Sequence, residues 1–172
     1  IGYNVLDNYI YGYDQTANQL VRVGNDGWTD VLTPRPQGLP ADFYNAGTLD
    51  LSGYYYLYVS GEQRFYTVDL RPGSPSYLKL VDPAAGYVEQ TDDYGTALTE
   101  PLNIGDWVWS PQENVLYGVA NDGTVYRIYP DGQVTALDTA GPNPGTLSGQ
   151  PLWTRMGFYM QFPVGMEPFT GI

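Results

Sequence analysis

Along most of the chain large apolar residues alternate with small or polar ones at every second position, the pattern of strands with one face turned inward. It predicts strands near 9–13, 19–23 and 28–32 with residues 1–4 leading in, near 47–51, 54–59, 64–69 and 77–81, and near 104–109, 115–119, 124–128 and 133–137. Tight turns fall between them at Asn25-Asp26-Gly27, Ser60-Gly61, Asn121-Asp122-Gly123 and Pro130-Asp131-Gly132, where Asn, Asp and Gly accept the backbone angles that a hairpin needs. Three linkers part the groups: 33–45, with Pro34, Pro36, Gly38 and Pro40; about 82–103; and 141–145, with Pro142 and Pro144. Proline at that density suits neither helix nor central strand. No window carries a helical stripe.

The groups are related to one another. The segment ending in Tyr11-Gly12 recurs as the segment ending in Tyr117-Gly118, 106 positions on (117 − 11), and each copy leads into an arginine-bearing strand (Arg22, Arg127) and an Asp-Gly turn. Between them lies a different unit, Asp50-Leu51-Ser52-Gly53 followed by Tyr54, Tyr55 and Tyr56, with an echo at Gly157-Phe158-Tyr159, 104 positions on (157 − 53). Near-equal offsets predict an A-B-A-B array of units about 50 residues long, the size of a four-stranded propeller blade. The units fall at approximately 1–32, 46–81, 104–137 and 150–172, the last incomplete. The expected fold is therefore all-β: a β-propeller-like array of four-stranded antiparallel blades, about three and a half of them, in one domain. A ring usually needs 4–8 blades, so the expected ring is incomplete and either more sequence or another subunit must cover its open flank.

Composition agrees with this class. With 17 Tyr, 5 Phe and 4 Trp beside 21 Gly and 14 Pro, strand formers and turn formers dominate. Nineteen acidic against seven basic residues give a net charge of −12, which repels nucleic acid. The chain has no Cys and no His, which excludes disulfides, thiol chemistry and every Ser-His-Asp or Cys-His nucleophile system. No apolar run is long enough for a membrane-spanning helix. Neither a signal peptide nor an initiator Met is present, which suits a processed or excerpted polypeptide.

The run from Ile1-Gly2-Tyr3-Asn4 through Asp7-Asn8-Tyr9-Ile10-Tyr11-Gly12, the following Leu20-Val21-Arg22-Val23, and Asp50, Ser52 and Gly53 ahead of the tyrosines resemble a family of secreted, propeller-like repeat domains of unknown function found in microbial extracellular and cell-surface proteins. The likeness is best over 1–32 and recurs at 50–70 and 105–132. It implies an extracellular location, secreted or cell-surface, and a repeat β fold. It brings no catalytic residue with it.

Candidate chemistry is sparse. Asn8 and Asn114 occupy equivalent hairpin positions, where Asn tolerates positive φ, and a structural role is expected of both. Arg22 and Arg127 are expected to meet buried carboxylates within their own units rather than to bind anions. Asp and Glu lie in turns and linkers with no spacing that singles out a glycosidase pair. Asn25-Asp26-Gly27-Trp28 is only loosely like an Asp box. Glu89, Asp92 and Asp93 offer oxygen ligands but no Asp-x-Asp-x-Asp loop, so no metal or cofactor is expected. Trp109 stands where the first copy has Tyr3 and should be core. Trp28, beside a turn, is the better surface aromatic, and with Tyr87 and Tyr94 of the acidic linker it forms the candidate set for ligand or partner contact. The functional expectation is a non-enzymatic extracellular structural or adhesive module whose partner is itself or the remainder of a propeller. The alternative is a carbohydrate-binding or glycan-processing propeller, with a carboxylate-dependent glycosidase as its enzymatic form.

Overall fold

A computed structural model describes residues 1–120 and 123–137. The expected incomplete unit at 150–172, the linker at 141–145, Trp153 and the turn residues Asn121 and Asp122 lie outside the described residues.

The described chain is all-β. Strands β1 (Gly2–Asn4), β2 (Tyr9–Asp14), β3 (Gln19–Val23) and β4 (Thr29–Val31) form sheet 1, an antiparallel meander in chain order. Sheet 2 contains β5 (Ala46–Leu49), β6 (Tyr54–Tyr58) and β7 (Arg64–Asp69). A small ribbon of β8 (Val81–Asp82) and β9 (Val88–Glu89) follows, and β10 (Thr96–Ala97) then returns to complete sheet 2 beside β7. Sheet 3 is the meander β11 (Ile104–Ser110), β12 (Val115–Ala120), β13 (Val125–Ile128) and β14 (Val134–Leu137). No helix occurs among the described residues.

One expected strand is displaced. Residues 77–81 do not make the fourth strand of sheet 2; they meet only the end of β7, where Leu78 N–H donates to Asp69 O, Asp69 N–H donates to Lys79 O and Leu80 forms an isolated bridge to Val68. Successive turns coil the chain there, with Ser74 N–H donating to Arg71 O, Tyr77 N–H to Ser74 O and Lys79 N–H to Ser76 O, and Leu78 adopts a φ of 59°. A strand needs extended backbone, which these turns deny to the chain up to Lys79. The fourth place goes instead to Thr96 and Ala97, opposite Phe65 and Arg64. Gly95 lets them in: its φ is 88°, and a Cβ there would fall 3.1 Å from Phe65 O.

Sheets 1 and 3 repeat each other in register. Gly2 opposes Tyr11 as Val108 opposes Tyr117, and Tyr3 opposes Ile10 as Trp109 opposes Leu116, all at the 106-residue offset (117 − 11). Tyr11 opposes Arg22 as Tyr117 opposes Arg127, at 105 (127 − 22), because the β12–β13 connection is one residue shorter than that between β2 and β3. The turn residues follow suit, with φ of 63° at Asn8, 56° at Asn114, 78° at Gly27 and 90° at Gly132.

Sheet 2 is the middle layer, and its residues are buried on both faces. Tyr54, Tyr56, Tyr58 and Phe65 meet Trp107, Trp109, Leu116 and Ile128 of sheet 3. The alternate positions Tyr55, Leu57 and Val68 meet Tyr11 and Leu20 of sheet 1. Period-two alternation thus sends one strand's side chains into two cores. Tyr56 stacks on Trp109 with centroids 5.2 Å apart. The leading strands lie side by side, β5 between β1 and β11. Polar side chains pin these seams: buried Asn4 donates to Leu70 O at 3.1 Å, and Asn45 donates to Ile104 O at 2.9 Å. The Tyr58 hydroxyl accepts from Leu102 N–H at 2.9 Å and donates to Leu102 O at 2.8 Å.

Candidate functional site

Two hairpin tips of sheet 1, the β1–β2 turn and the β3–β4 turn, lie at the same end of the sheet and enclose a cleft of about 240 Å³. Asp7, Asn8 and Tyr9 form one wall, and Gly24 through Asp26, Trp28 and Asp30 form the rest. Local turn chemistry sets each wall. Asp7 Oδ1 accepts from Tyr9 N–H at 3.1 Å, and its Oδ2 accepts from the Tyr11 hydroxyl at 2.6 Å and from Asn4 Nδ2 at 3.3 Å. The Tyr3 hydroxyl donates to Asn8 Oδ1 at 2.6 Å. Across the cleft, Asp26 Oδ1 accepts from Trp28 N–H at 3.0 Å, which holds the indole at the rim. Gly24 forms the floor, since a Cβ there would fall 2.9 Å from Asp26 Oδ1 and 3.4 Å from the Tyr9 ring.

Arg22 lies against two of the lining residues, Tyr9 and Asp30. Its guanidinium lies 4.5 Å from the Tyr9 ring centroid and its Nε 3.1 Å from Asp30 Oδ2. Partial burial opposes the Arg22 charge, but hydrogen bonds to Asp30 and Tyr11 more than offset it and raise its pKa above the ordinary value. Burial, reinforced by the hydrogen bond to Asp7, pushes the Tyr11 hydroxyl far above the usual tyrosine range, so it stays a donor. The carboxylates expected to be buried partners of Arg22 and Arg127 are half-exposed: Asp30 for Arg22, and Glu113, at 2.5 Å, for Arg127. Asp30 stands on the edge strand β4 and Glu113 in the β11–β12 turn, and solvent reaches both places.

Of the three aromatic candidates only Trp28 stands free, at 72% exposed. Tyr87 is half-buried; its ring stacks on Tyr54 at 3.9 Å and its hydroxyl lies 2.8 Å from that of Tyr56. Tyr94 lines a second hollow, about 490 Å³, with Arg35, Lys79 and Glu89. There its hydroxyl donates to Thr91 O at 2.9 Å while Gly38 packs on its ring. The acidic linker residues have separate partners: Glu89 pairs with Lys79 at 2.8 Å and Asp93 with Arg64 at 2.8 Å. Among the described residues no three acidic side chains converge as a metal site would require.

Residues 1–154 match the family described as a repeat of unknown function (DUF6923). The chain belongs to the DUF6923 repeat family. No curated protein matches it. The family match spans all three sheets of this DUF6923 repeat, which agrees with the in-register relation of sheets 1 and 3. Comparing the two copies also locates residues beside Trp28 that single positions did not flag, Tyr9, Gly24 and Asp30. Tyr9, Gly24, Trp28 and Asp30 correspond to Val115, Tyr129, Gln133 and Thr135, so the cleft-lining residues of sheet 1 differ while the pairing of the strands that carry them is kept.

Proposed function

We propose that this DUF6923 chain is a non-enzymatic, extracellular structural or adhesive module, a propeller-like array that continues by stacking further copies of itself. One observation carries the reading. Sheet 3 turns the face bearing Trp107, Trp109, Leu116 and Ile128 onto sheet 2. The corresponding face of sheet 1, bearing Ile1, Tyr3, Ile10 and Val23, points away from sheet 2, and among the described residues no sheet covers it. Ile1 is 80% exposed and Ile10 45%, and Val31 on the same face is also exposed. Such a face suits a second sheet better than water.

The other side of sheet 3, which bears Val108, Tyr117 and Val125, lies at the opposite end of the stack; these three stay half-exposed, while Val115 and Val119 between them are buried. Two different faces at the two ends give a head-to-tail contact, which closes into a ring or runs on as a filament. Consecutive meanders whose first strands lie side by side suit that propeller-like growth. The absence of His and Cys, and the engagement of the cleft carboxylates in local turns and ion pairs, favour structure over catalysis.

Sedimentation velocity over a concentration series tests the reading. Concentration-dependent oligomers that persist in high salt are expected, since the contact is apolar. Ile10→Asp together with Val31→Asp should return the chain to monomer. A wild-type chain that stays monomeric at every concentration, or oligomers that salt alone dissolves, would sink it.

A further inference from the structure

We infer that the cleft between the hairpin tips of sheet 1 binds one pyranose unit of a neutral saccharide, with a face of the sugar ring laid on the Trp28 indole. This goes beyond the stacking reading and stands without it, because the cleft lies at the strand ends and not on the open face.

The first support is that the fold does not need Trp28. Sheet 3 builds the same turn from Tyr129, Pro130, Asp131, Gly132 and Gln133. Its Asp131 accepts from Gln133 N–H at 3.1 Å as Asp26 accepts from Trp28 N–H at 3.0 Å, and Gly132 and Gly27 both take positive φ. Asp and Gly therefore satisfy the turn, and the large aromatic at the next position adds nothing to it. Tyr9 is likewise replaced by Val115 without change of register.

The second support is what covers each turn. In sheet 3 the chain itself lies over it: Ala97 O presses on Gly132, Thr99 N–H donates to Gly132 O at 3.0 Å, and Val134 N–H donates to Thr99 Oγ1 at 3.0 Å. In sheet 1 nothing lies within 4 Å of a Cβ built on Gly27, so no neighbouring segment covers the turn, and the cleft of about 240 Å³ beside it stays open. Sites for drug-sized ligands usually start at about 300 Å³, so this one suits a single ring.

The third support is the arrangement of polar groups. Asp26 and Asp30 each have an oxygen beyond those used in the turn and the ion pair, and Asn8 and Asn25 add amides around the indole. These groups are spread around an aromatic plate rather than gathered at one point. A compact cation needs converging oxygens. A pyranose presents an apolar ring face and hydroxyl donors directed outward from it, which this arrangement matches.

The test is titration of the whole chain with neutral oligosaccharides of glucose, galactose and N-acetylglucosamine in both anomeric linkages, and with tetramethylammonium as a cationic probe, read by calorimetry and tryptophan fluorescence. At least one oligosaccharide should saturate the protein with an affinity that varies little with salt. Trp28→Ala should raise Kd about tenfold or more, and Trp28→Phe should recover part of the loss. Because Trp28 is so exposed, Trp28→Ala should keep the wild-type circular dichroism and oligomeric state, which separates this result from any failure of stacking. Silence across the oligosaccharide set, binding unchanged by Trp28→Ala, or binding of tetramethylammonium alone with loss in salt would each overturn the proposal.

Discussion

In sheet 3 the face carrying Trp107, Trp109, Leu116 and Ile128 is pressed onto the middle sheet, while in sheet 1 the corresponding Ile1, Tyr3, Ile10 and Val23 look away from it. Strand order, cross-strand pairing and the positive-φ turn residues agree between the two, so neighbours and not local conformation set the difference. Where a neighbour presses, side chains are large and buried: Trp107 is 2% exposed against 80% for Ile1. The same backbone thus shows which positions of the repeat are needed for the turn and strand, and which serve whatever lies beside them.

The sharpest way to break this comparison is to truncate the same position in both copies. Trp109 is buried and stacked on Tyr56, so Trp109→Ala should cost about 3–5 kcal/mol. Tyr3 is half-buried, and its hydroxyl bond to Asn8 is exposed, so Tyr3→Ala should cost about 1 kcal/mol or less in the monomer. Urea unfolding of the two variants measures the difference. Equal losses would mean that the open face of sheet 1 is already covered in the free chain.

Next in size is the seam itself. Gly2 of β1 sits so close to β5 that a Cβ would fall 2.8 Å from Leu49 N, a backbone atom that cannot swing aside. Its counterpart Val108 bears a full side chain, because no described sheet bears on that side of β11. Gly2→Val should therefore destabilise by about 1–3 kcal/mol through overpacking, whereas Val108→Gly removes only a half-buried side chain and should cost less. The order of the two unfolding midpoints decides the matter.

Much of this is legible in the sequence. Alternation located eleven of the strands because hairpin meanders keep each strand next to its sequence neighbour, and Asn8, Asn114, Gly27 and Gly132 announced turns whose angles only such residues accept readily. Trp109 as core and Trp28 as surface followed from repeat alignment and from position beside a turn. What could not be read was non-local. Thr96 and Ala97 reach β7 across a ribbon and several turns, and two residues carry no period. Tyr87 looked like a linker residue, and only the stacking of its ring on Tyr54 shows it turned inward. The cleft was hidden for the same reason: Asp7–Tyr9 and Gly24–Asp30 belong to different hairpins, and their meeting depends on β1 and β3 ending at the same end of the sheet.

The smallest effect concerns the first residue of the leading hairpin turn, Asn4 in sheet 1 and Asp50 in sheet 2. Both are buried and both accept a backbone N–H two residues on, Leu6 at 3.0 Å and Ser52 at 2.9 Å. Burial pushes the Asp50 carboxyl above its ordinary value, and the N–H groups of Tyr54 and Ser52 with the Tyr56 hydroxyl offset that only in part. Between its unfolded and folded values the folded state holds the proton more tightly, so the contribution of Asp50 to stability falls as pH rises through that window and stays low above it. Asp69, in the same sheet, runs the other way. Its burial is outweighed by Arg71 and Ser74, its pKa is lowered, and its contribution is lost as pH falls through the folded value. Asp50→Asn isolates the first effect. Asn can keep the N–H acceptor and donate to the Tyr56 hydroxyl, which can turn its own proton to Tyr87 at 2.8 Å. Relative to wild type, the variant should gain stability steadily from acid to neutral pH in paired urea titrations. A difference independent of pH would show that the Asp50 charge costs the fold nothing, and that the Asn of sheet 1 and the Asp of sheet 2 are interchangeable on grounds other than burial.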